Sequence, residues 1–175
     1  TAARVGSCAM APGHGHTYEL IVSMAGGLDA NGMVLNLSEV KHAIRSEVTE
    51  QLDFRFLNEA WPEFDVSSSE GCLPTTEALV RIIWSRLANQ LPLVALRLYE
   101  SSGLWADYLG QTMDAYLTIR THFAAAHRLA RPELSQEENE LIYGKCARPH
   151  GHGHNYLVDV TVRGSIDPRT GMVCD

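Results

Sequence analysis

Apolar and polar positions alternate through Tyr156, Val158, Val160 and Val162, with Leu157, Asp159 and Thr161 between them. A period of two predicts a half-buried strand. Glu19 to Met24 reads as a strand as well. Val94 to Glu100, Leu104 to Leu109 and Met113 to Phe123 supply further strands, the first two joined by a turn at Ser102 and Gly103. After the first strand the period changes. Val40, Ile44, Val48 and Leu52 recur every four residues behind Ser38, a good N-cap, and predict an amphipathic helix. A second helix begins near Thr75, Thr76 and Glu77, carries Leu79, Ile82, Ile83, Leu87 and Leu91 as its apolar positions, and stops at Pro92. Pro62 and Ser67 to Ser69 mark the loop between the helices, and residues 131–144 read as a polar loop. The predicted order is strand, helix, helix, then a run of strands to the end.

The first and last of these strands are introduced by the same residues. Cys8 and Cys146, His14 and His152, His16 and His154, Tyr18 and Tyr156, and Asp29 and Asp167 are each separated by 138 positions. Gly32, Met33 and Val34 then match Gly171, Met172 and Val173 with one residue inserted. A period of domain size indicates duplication rather than a solenoid. Residues 1–110 read as one copy of a strand-strand-helix-helix-strand-strand unit lacking its first strand, and residues 111–175 as the first two strands of a second copy. A circularly permuted single domain is the alternative.

The 175 residues carry a net charge of -7 and no long basic run, which argues against a general nucleic-acid binder. A phosphorylated small molecule, which needs only local cations, stays open. No apolar run approaches the roughly 18 residues of a membrane span, and no secretory signal is visible. No membrane partner and a cytoplasmic location are therefore expected. Cys8, Cys72, Cys146 and Cys174 are too sparse for a disulfide scaffold and are expected to be free thiols.

Extending the last strand back across Gly153 places His152 and His154 on one face. Two imidazoles so spaced are a natural metal pair, and zinc is the metal best suited to nitrogen ligands without redox demand. His14 and His16 repeat the pair and are the metal candidates of the first copy. Cys146 lies six residues before His152, in a loop able to fold back over the metal. His150 and His152 would satisfy a shorter gap of four, whereas Asn155, Tyr156 and the spacing of the first copy favour His152 and His154.

On these residues the chain resembles the 6-pyruvoyl-tetrahydropterin synthase / 6-carboxy-tetrahydropterin synthase family over nearly its whole length. Phe123 through Ala126, His127, Arg128 and Leu129 resembles the family's first-strand motif, whose histidine binds zinc. Gly151 to Tyr156 resembles the second-strand motif, which carries the other two ligands. The resemblance implies an α+β tunnelling fold (T-fold): an antiparallel sheet with two helices on one face, oligomerising into a β-barrel. The homo-oligomer would be a trimer or hexamer-like assembly with sites between subunits. It implies Zn2+ on His127, His152 and His154 with a coordination position left open, and Cys146 as the catalytic cysteine. The gap of six resembles the pyruvoyl-forming branch, and a gap of four would resemble the carboxy-forming one. Thr75 and Thr76 resemble the family's substrate-contacting helix start. Glu100 resembles its pterin anchor, a carboxylate able to accept two parallel hydrogen bonds. Asp53 lies where the family has an aspartate followed by histidine; the aspartate is retained and Phe54 replaces its partner, so the first copy lacks the complete catalytic relay.

The activity implied is that of a lyase converting 7,8-dihydroneopterin triphosphate with elimination of triphosphate. Zinc would polarise the side-chain oxygens and Cys146 would remove a proton. Arg128, Arg131, Lys145 and Arg148 are the cations expected to meet the triphosphate. Two rivals are the carboxy-forming enzyme of queuosine synthesis and a non-catalytic T-fold domain that binds zinc or pterin or builds the barrel.

Overall fold

The structure, a computed structural model, describes residues 13–174, so Cys8 lies outside the described residues. Its strands are β1 (Glu19–Met24), β2 (Leu93–Ser101), β3 (Leu104–Tyr108), β4 (Asp114–His127) and β5 (His152–Ser165). They form a five-stranded sheet in the order β1-β2-β3-β4-β5, and the pairs from β1 to β4 are antiparallel. The chain divides into two compact units, one running up to Ile119 and resuming at Val160, the other spanning residues 120–159.

In the first unit, register explains the core. Leu20, Leu98, Ala106 and Leu117 stand opposite one another across four strands, as do Val22, Leu96, Tyr108 and Ala115. These rows project from one face, because alternate residues of a strand share a side. Helix α3 (Thr76–Leu87) covers that face with Leu79, Ile82, Ile83 and Leu87, all essentially buried. Leu91, just beyond it, is buried as well. The other face is polar where Arg97 grips Asp107 through two bonds of 2.6 and 3.0 Å.

Helix α1 (Leu37–Ile44) starts earlier than the Ser38 cap predicts. Asn36 is the N-cap, and its side chain accepts from the Ser38 backbone N–H at 2.9 Å. Asn caps at least as well as Ser, and the earlier residue captures the first free donors. The helix continues through a π-helical turn at Arg45–Thr49 and a last turn at Glu50–Leu52. The widened turn has a reason in the sequence. A strict four-residue stripe drifts by roughly 40° per turn on a 3.6-residue helix, and a wider turn swings Val48 and Leu52 back toward the core. Val40 and Val48 are buried, and Ile44 and Leu52 pack on the core as half-buried residues. A short helix, α2 (Leu57–Ala60), and a 3-10 turn at Pro62–Phe64 fill the loop.

The repeated turns share an aspartate whose carboxylate accepts backbone N–H groups. Asp29 accepts from the backbone N–H of Asn31 and Met33 at 2.8 and 2.9 Å, and Asp167 from those of Arg169 and Thr170 at 2.9 and 2.8 Å. Those backbone donors hold both carboxyls below the ordinary aspartate range. The inserted residue is absorbed within the second turn, where the Asp167 N–H reaches Met172 rather than the residue four along.

One predicted loop is a helix. Residues 131–144 contain α4 (Gln136–Tyr143), which begins with a capping box: Ser135 accepts from the Glu138 N–H at 3.2 Å and Glu138 accepts from the Ser135 N–H at 2.8 Å.

Candidate metal and thiol site

The second unit holds the end of β4, α4, the 3-10 turn Gly144–Ala147 and the start of β5. Alternation puts His127 on the same face as Phe123, and His152 and His154 on the same face as Tyr156. Phe123 and Tyr156 stack at 4.9 Å, which fixes the pairing of the two strands beside the histidines. Gly151, at φ 65°, lets β5 begin there: a Cβ would stand 2.6 Å from the His127 carbonyl oxygen.

Three rings then converge. His127 Nε2 lies 3.0 Å from His152 Nε2 and 3.2 Å from His154 Nε2. The rings are nearly perpendicular to one another, with centroids 4.6 to 4.9 Å apart. Among the described residues this is the group of three possible ligands whose donor atoms all lie within 4.8 Å of each other. His150 is exposed and outside it, so the cluster uses the pair six and eight residues beyond Cys146. His152 has its imidazole pKa lowered, first by loss of solvent and then by repulsion from His127 and His154. A neutral imidazole is the form that binds a metal.

Cys146 Sγ stands 3.8 Å from His152 Nε2. Its loop is tied down at several points. The Leu129 N–H donates to the Cys146 carbonyl at 2.9 Å. Arg128 donates to the Ala147 carbonyl at 3.1 Å and to Gln136 at 2.8 Å, and Gln136 donates to the same Ala147 carbonyl at 3.1 Å. Asn139, 2% exposed, accepts from the Arg131 N–H and donates to the carbonyls of Arg131, Leu134 and Ser135, closing the loop before α4. Of the cations expected to meet a triphosphate, Arg128 is thus committed to the thiol loop and Arg131 sits 3.6 Å from Glu133. Lys145 and Arg148 are in no ion pair among the described residues. Arg128, Gln136 and Asn139 were not singled out by the sequence as supports of the site; the capping box at Ser135 and Glu138 was the available signal.

The remaining predicted residues lie in the first unit. Thr75 is the N-cap of α3, accepting from the Ala78 N–H at 3.2 Å while donating to the Gly171 carbonyl. Thr76, 2% exposed, donates its hydroxyl to Glu100. Glu100 also approaches His16 Nε2, at 3.4 Å, and His16 meets His14 edge-on at 4.5 Å. Asp53 ends α1 and is exposed; Phe54 beside it is fully exposed and adopts a left-handed φ of 55°.

The family profile of 6-pyruvoyl tetrahydropterin synthase matches residues 2–111 and 116–175. The 6-pyruvoyl tetrahydrobiopterin synthase of Drosophila melanogaster is 57% identical over 65 residues, which are 37% of this chain and 39% of that protein. The 6-carboxy-5,6,7,8-tetrahydropterin synthase of Haemophilus influenzae is 27% identical over 113 residues, covering 54% of this chain and 80% of that one. The solved structure of Caenorhabditis elegans 6-pyruvoyl tetrahydropterin synthase has 45% identity over 35% of this chain and 44% of its own, with a TM-score of 0.33. The matched stretch spans 38% to 44% of the animal relatives' length. No helix among the described residues is long and apolar enough to cross a membrane.

Proposed function

Because the chain belongs to the 6-pyruvoyl tetrahydropterin synthase family, we propose that it is a zinc-dependent lyase of 7,8-dihydroneopterin triphosphate, forming the 6-pyruvoyl product and free triphosphate. The observation that carries this is the meeting of His127, His152 and His154 beside the Cys146 thiol. The donor set fits zinc. Bonds of about 2.0–2.1 Å to three corners of a tetrahedron need nitrogens roughly 3.3 Å apart, and two of the separations are 3.0 and 3.2 Å. Bound there, zinc would supply polarisation of the substrate's side-chain oxygens.

The chain's own residues supply the rest. Cys146, as thiolate, takes the proton from the adjacent side-chain carbon. The carbon–oxygen bond to the triphosphate then breaks, the resulting enol ketonises to one carbonyl, and the second forms by tautomerisation that moves the other carbinol's two hydrogens onto the ring C=N bond, leaving a tetrahydropterin ring. Arg128 and Gln136 hold the thiol loop in place for the proton transfer. Lys145 and Arg148 supply positive charge for the leaving triphosphate. Glu100, held by Thr76, accepts the paired N–H groups of a pterin ring. The gap of six from Cys146 to His152 favours the pyruvoyl product. The match to a carboxy-forming relative keeps that product as the second reading.

The two copies form a tandem duplication, an arrangement supported by the matching turns at Asp29 and Asp167. β1 and β5 are edge strands of the sheet, and homo-oligomerisation into a barrel would cover them. Sedimentation of the chain should therefore give an oligomer. The direct test of function is to incubate the zinc-loaded chain with 7,8-dihydroneopterin triphosphate. Release of triphosphate with a product of the pyruvoyl mass is expected, and both should vanish with His127→Ala. A carboxy-type product mass would select the second reading, and no turnover would leave a binding domain.

A further inference from the structure

The two repeated turns carry equivalent apolar residues in opposite surroundings. Leu28 and Ile166 are 138 positions apart, as are the aspartates that follow them. Ile166 is 7% exposed and joins the core, whereas Leu28 is 71% exposed. Gly171 is buried and Gly32 is exposed. Val173 packs on the core, and Val34 is 38% exposed.

The backbones that present these residues are alike. In the first turn the Asp29 N–H donates to the Met33 carbonyl at 2.8 Å and the Gly32 N–H to the Asp29 carbonyl at 3.0 Å. In the second the Asp167 N–H donates to the Met172 carbonyl at 2.9 Å and the Gly171 N–H to the Asp167 carbonyl at 2.8 Å. Each valine lies over a glycine, Val34 on Gly26 and Val173 on Gly164, with Cγ1 3.1 Å from where a Cβ would stand in both.

What differs is the partner. The second turn is docked on the start of α3. The Gly171 carbonyl accepts from the Thr75 hydroxyl, and the Val173 N–H donates at 3.2 Å to Glu77, which is 4% exposed. Turn and helix start are different surfaces, so this contact is heterologous and can be repeated from one copy to the next. The first turn holds the same donor, acceptor and apolar residue with that surface uncovered.

We infer that the first turn, Leu28 to Val34, is an interaction surface for the start of an α3-type helix on another T-fold domain. The partner brings a threonine hydroxyl to the Gly32 carbonyl, a glutamate two residues further on to the Val34 N–H, and an apolar socket to Leu28. The inference rests on the duplication and is independent of the zinc chemistry.

The test uses the full chain as both partners. In a fluorescently tagged acceptor the second turn is loosened by Gly171→Ala or, separately, by Val173→Pro, which removes the N–H given to Glu77. Each acceptor also carries Leu28→Asp to prevent self-association, and circular dichroism checks that it is folded. Titrated with the parent chain and followed by anisotropy, a loosened acceptor should bind at least about tenfold more tightly than one whose second turn is intact. Leu28→Asp in the titrated chain should return binding to the level of the intact acceptor, with its own urea midpoint within about 0.3 M of the parent. Val34→Pro in the titrated chain should weaken binding roughly tenfold, as for a hydrogen bond to a charged group. Equal binding by the parent and its Leu28→Asp variant would overturn the inference, and so would folded acceptors that gain no affinity on loosening. Zinc content and turnover, which these substitutions do not touch, test the lyase reading separately.

Discussion

Gly171 and Gly32 are repeat partners with nearly the same backbone, φ 73° and 77°, in different surroundings. Alanine at both positions therefore separates backbone strain from packing. At Gly32 a Cβ meets nothing within 4 Å. Its cost is the left-handed term alone, about 1–2 kcal/mol. At Gly171 the same Cβ would stand 2.6 Å from the Leu73 carbonyl oxygen, 2.9 Å from Thr75 Oγ1 and 3.1 Å from Ala78 Cβ. The carbonyl cannot move freely, because it accepts from the Thr75 N–H at 2.8 Å. Relieving the clash separates the turn from the start of α3. It endangers the bond from Thr75 to the Gly171 carbonyl and the one from the Val173 N–H to Glu77, 3.2 Å. At about 1 kcal/mol for each net hydrogen bond, Gly171→Ala should cost about 3–4 kcal/mol in all. Urea unfolding followed by tryptophan fluorescence reads the difference. With a slope of about 2 kcal/mol per molar, Gly171→Ala should lower the midpoint by roughly 1.5–2 M and Gly32→Ala by about 0.5–1 M. Equal shifts for the two variants would refute the packing argument, and no shift for either would refute the strain.

Other expectations follow from single sites. Phe54→Gly removes a left-handed, fully exposed phenylalanine and should stabilise the chain by about 1 kcal/mol, read by the same denaturation. Arg128→Met should release the Ala147 carbonyl and slow turnover about tenfold or more while zinc content stays at the parent value; loss of zinc would show that Arg128 supports the ligands instead. The lowered pKa of His152 sets a pH dependence. An unfolded chain binds that proton near 6.5, the native one only at lower pH, so its contribution to stability is complete above about 6.5 and disappears as pH falls through the native value. The metal-free chain should therefore lose more stability between pH 7 and 5 than its His152→Gln variant does, measured by urea midpoints; an identical pH dependence would contradict this.

Sequence periodicity was enough to locate the strands and both long helices; β1 to β3 are half-buried as their patterns predict, whereas in β5 the alternating Tyr156, Val160 and Val162 stay 36% to 55% exposed, so that strand forms without the burial its pattern predicts. Periodicity was not enough for α4. Asn139 is the buried residue of that helix, and a polar plug leaves no apolar stripe to read; Ser135 and Glu138 were the only local sign. The histidines at 127, 152 and 154 were visible through repeat and motif, since strand alternation dictates which residues share a side. The ties from Arg128 and Gln136 to Ala147 join residues brought together by the return of the loop, which no local pattern encodes. The same holds for the approach of His16 to Glu100, which depends on the register between β1 and β2.

The proposed chemistry depends most directly on the division of labour between three imidazoles and one sulfur. Cys146→Ala should be prepared, its zinc counted, and its release of triphosphate from 7,8-dihydroneopterin triphosphate compared with the parent. The prediction is full zinc content with turnover reduced at least about a hundredfold, the range a positioned base supplies. Undiminished turnover by that variant would contradict the role given to the thiol and the mechanism built on it.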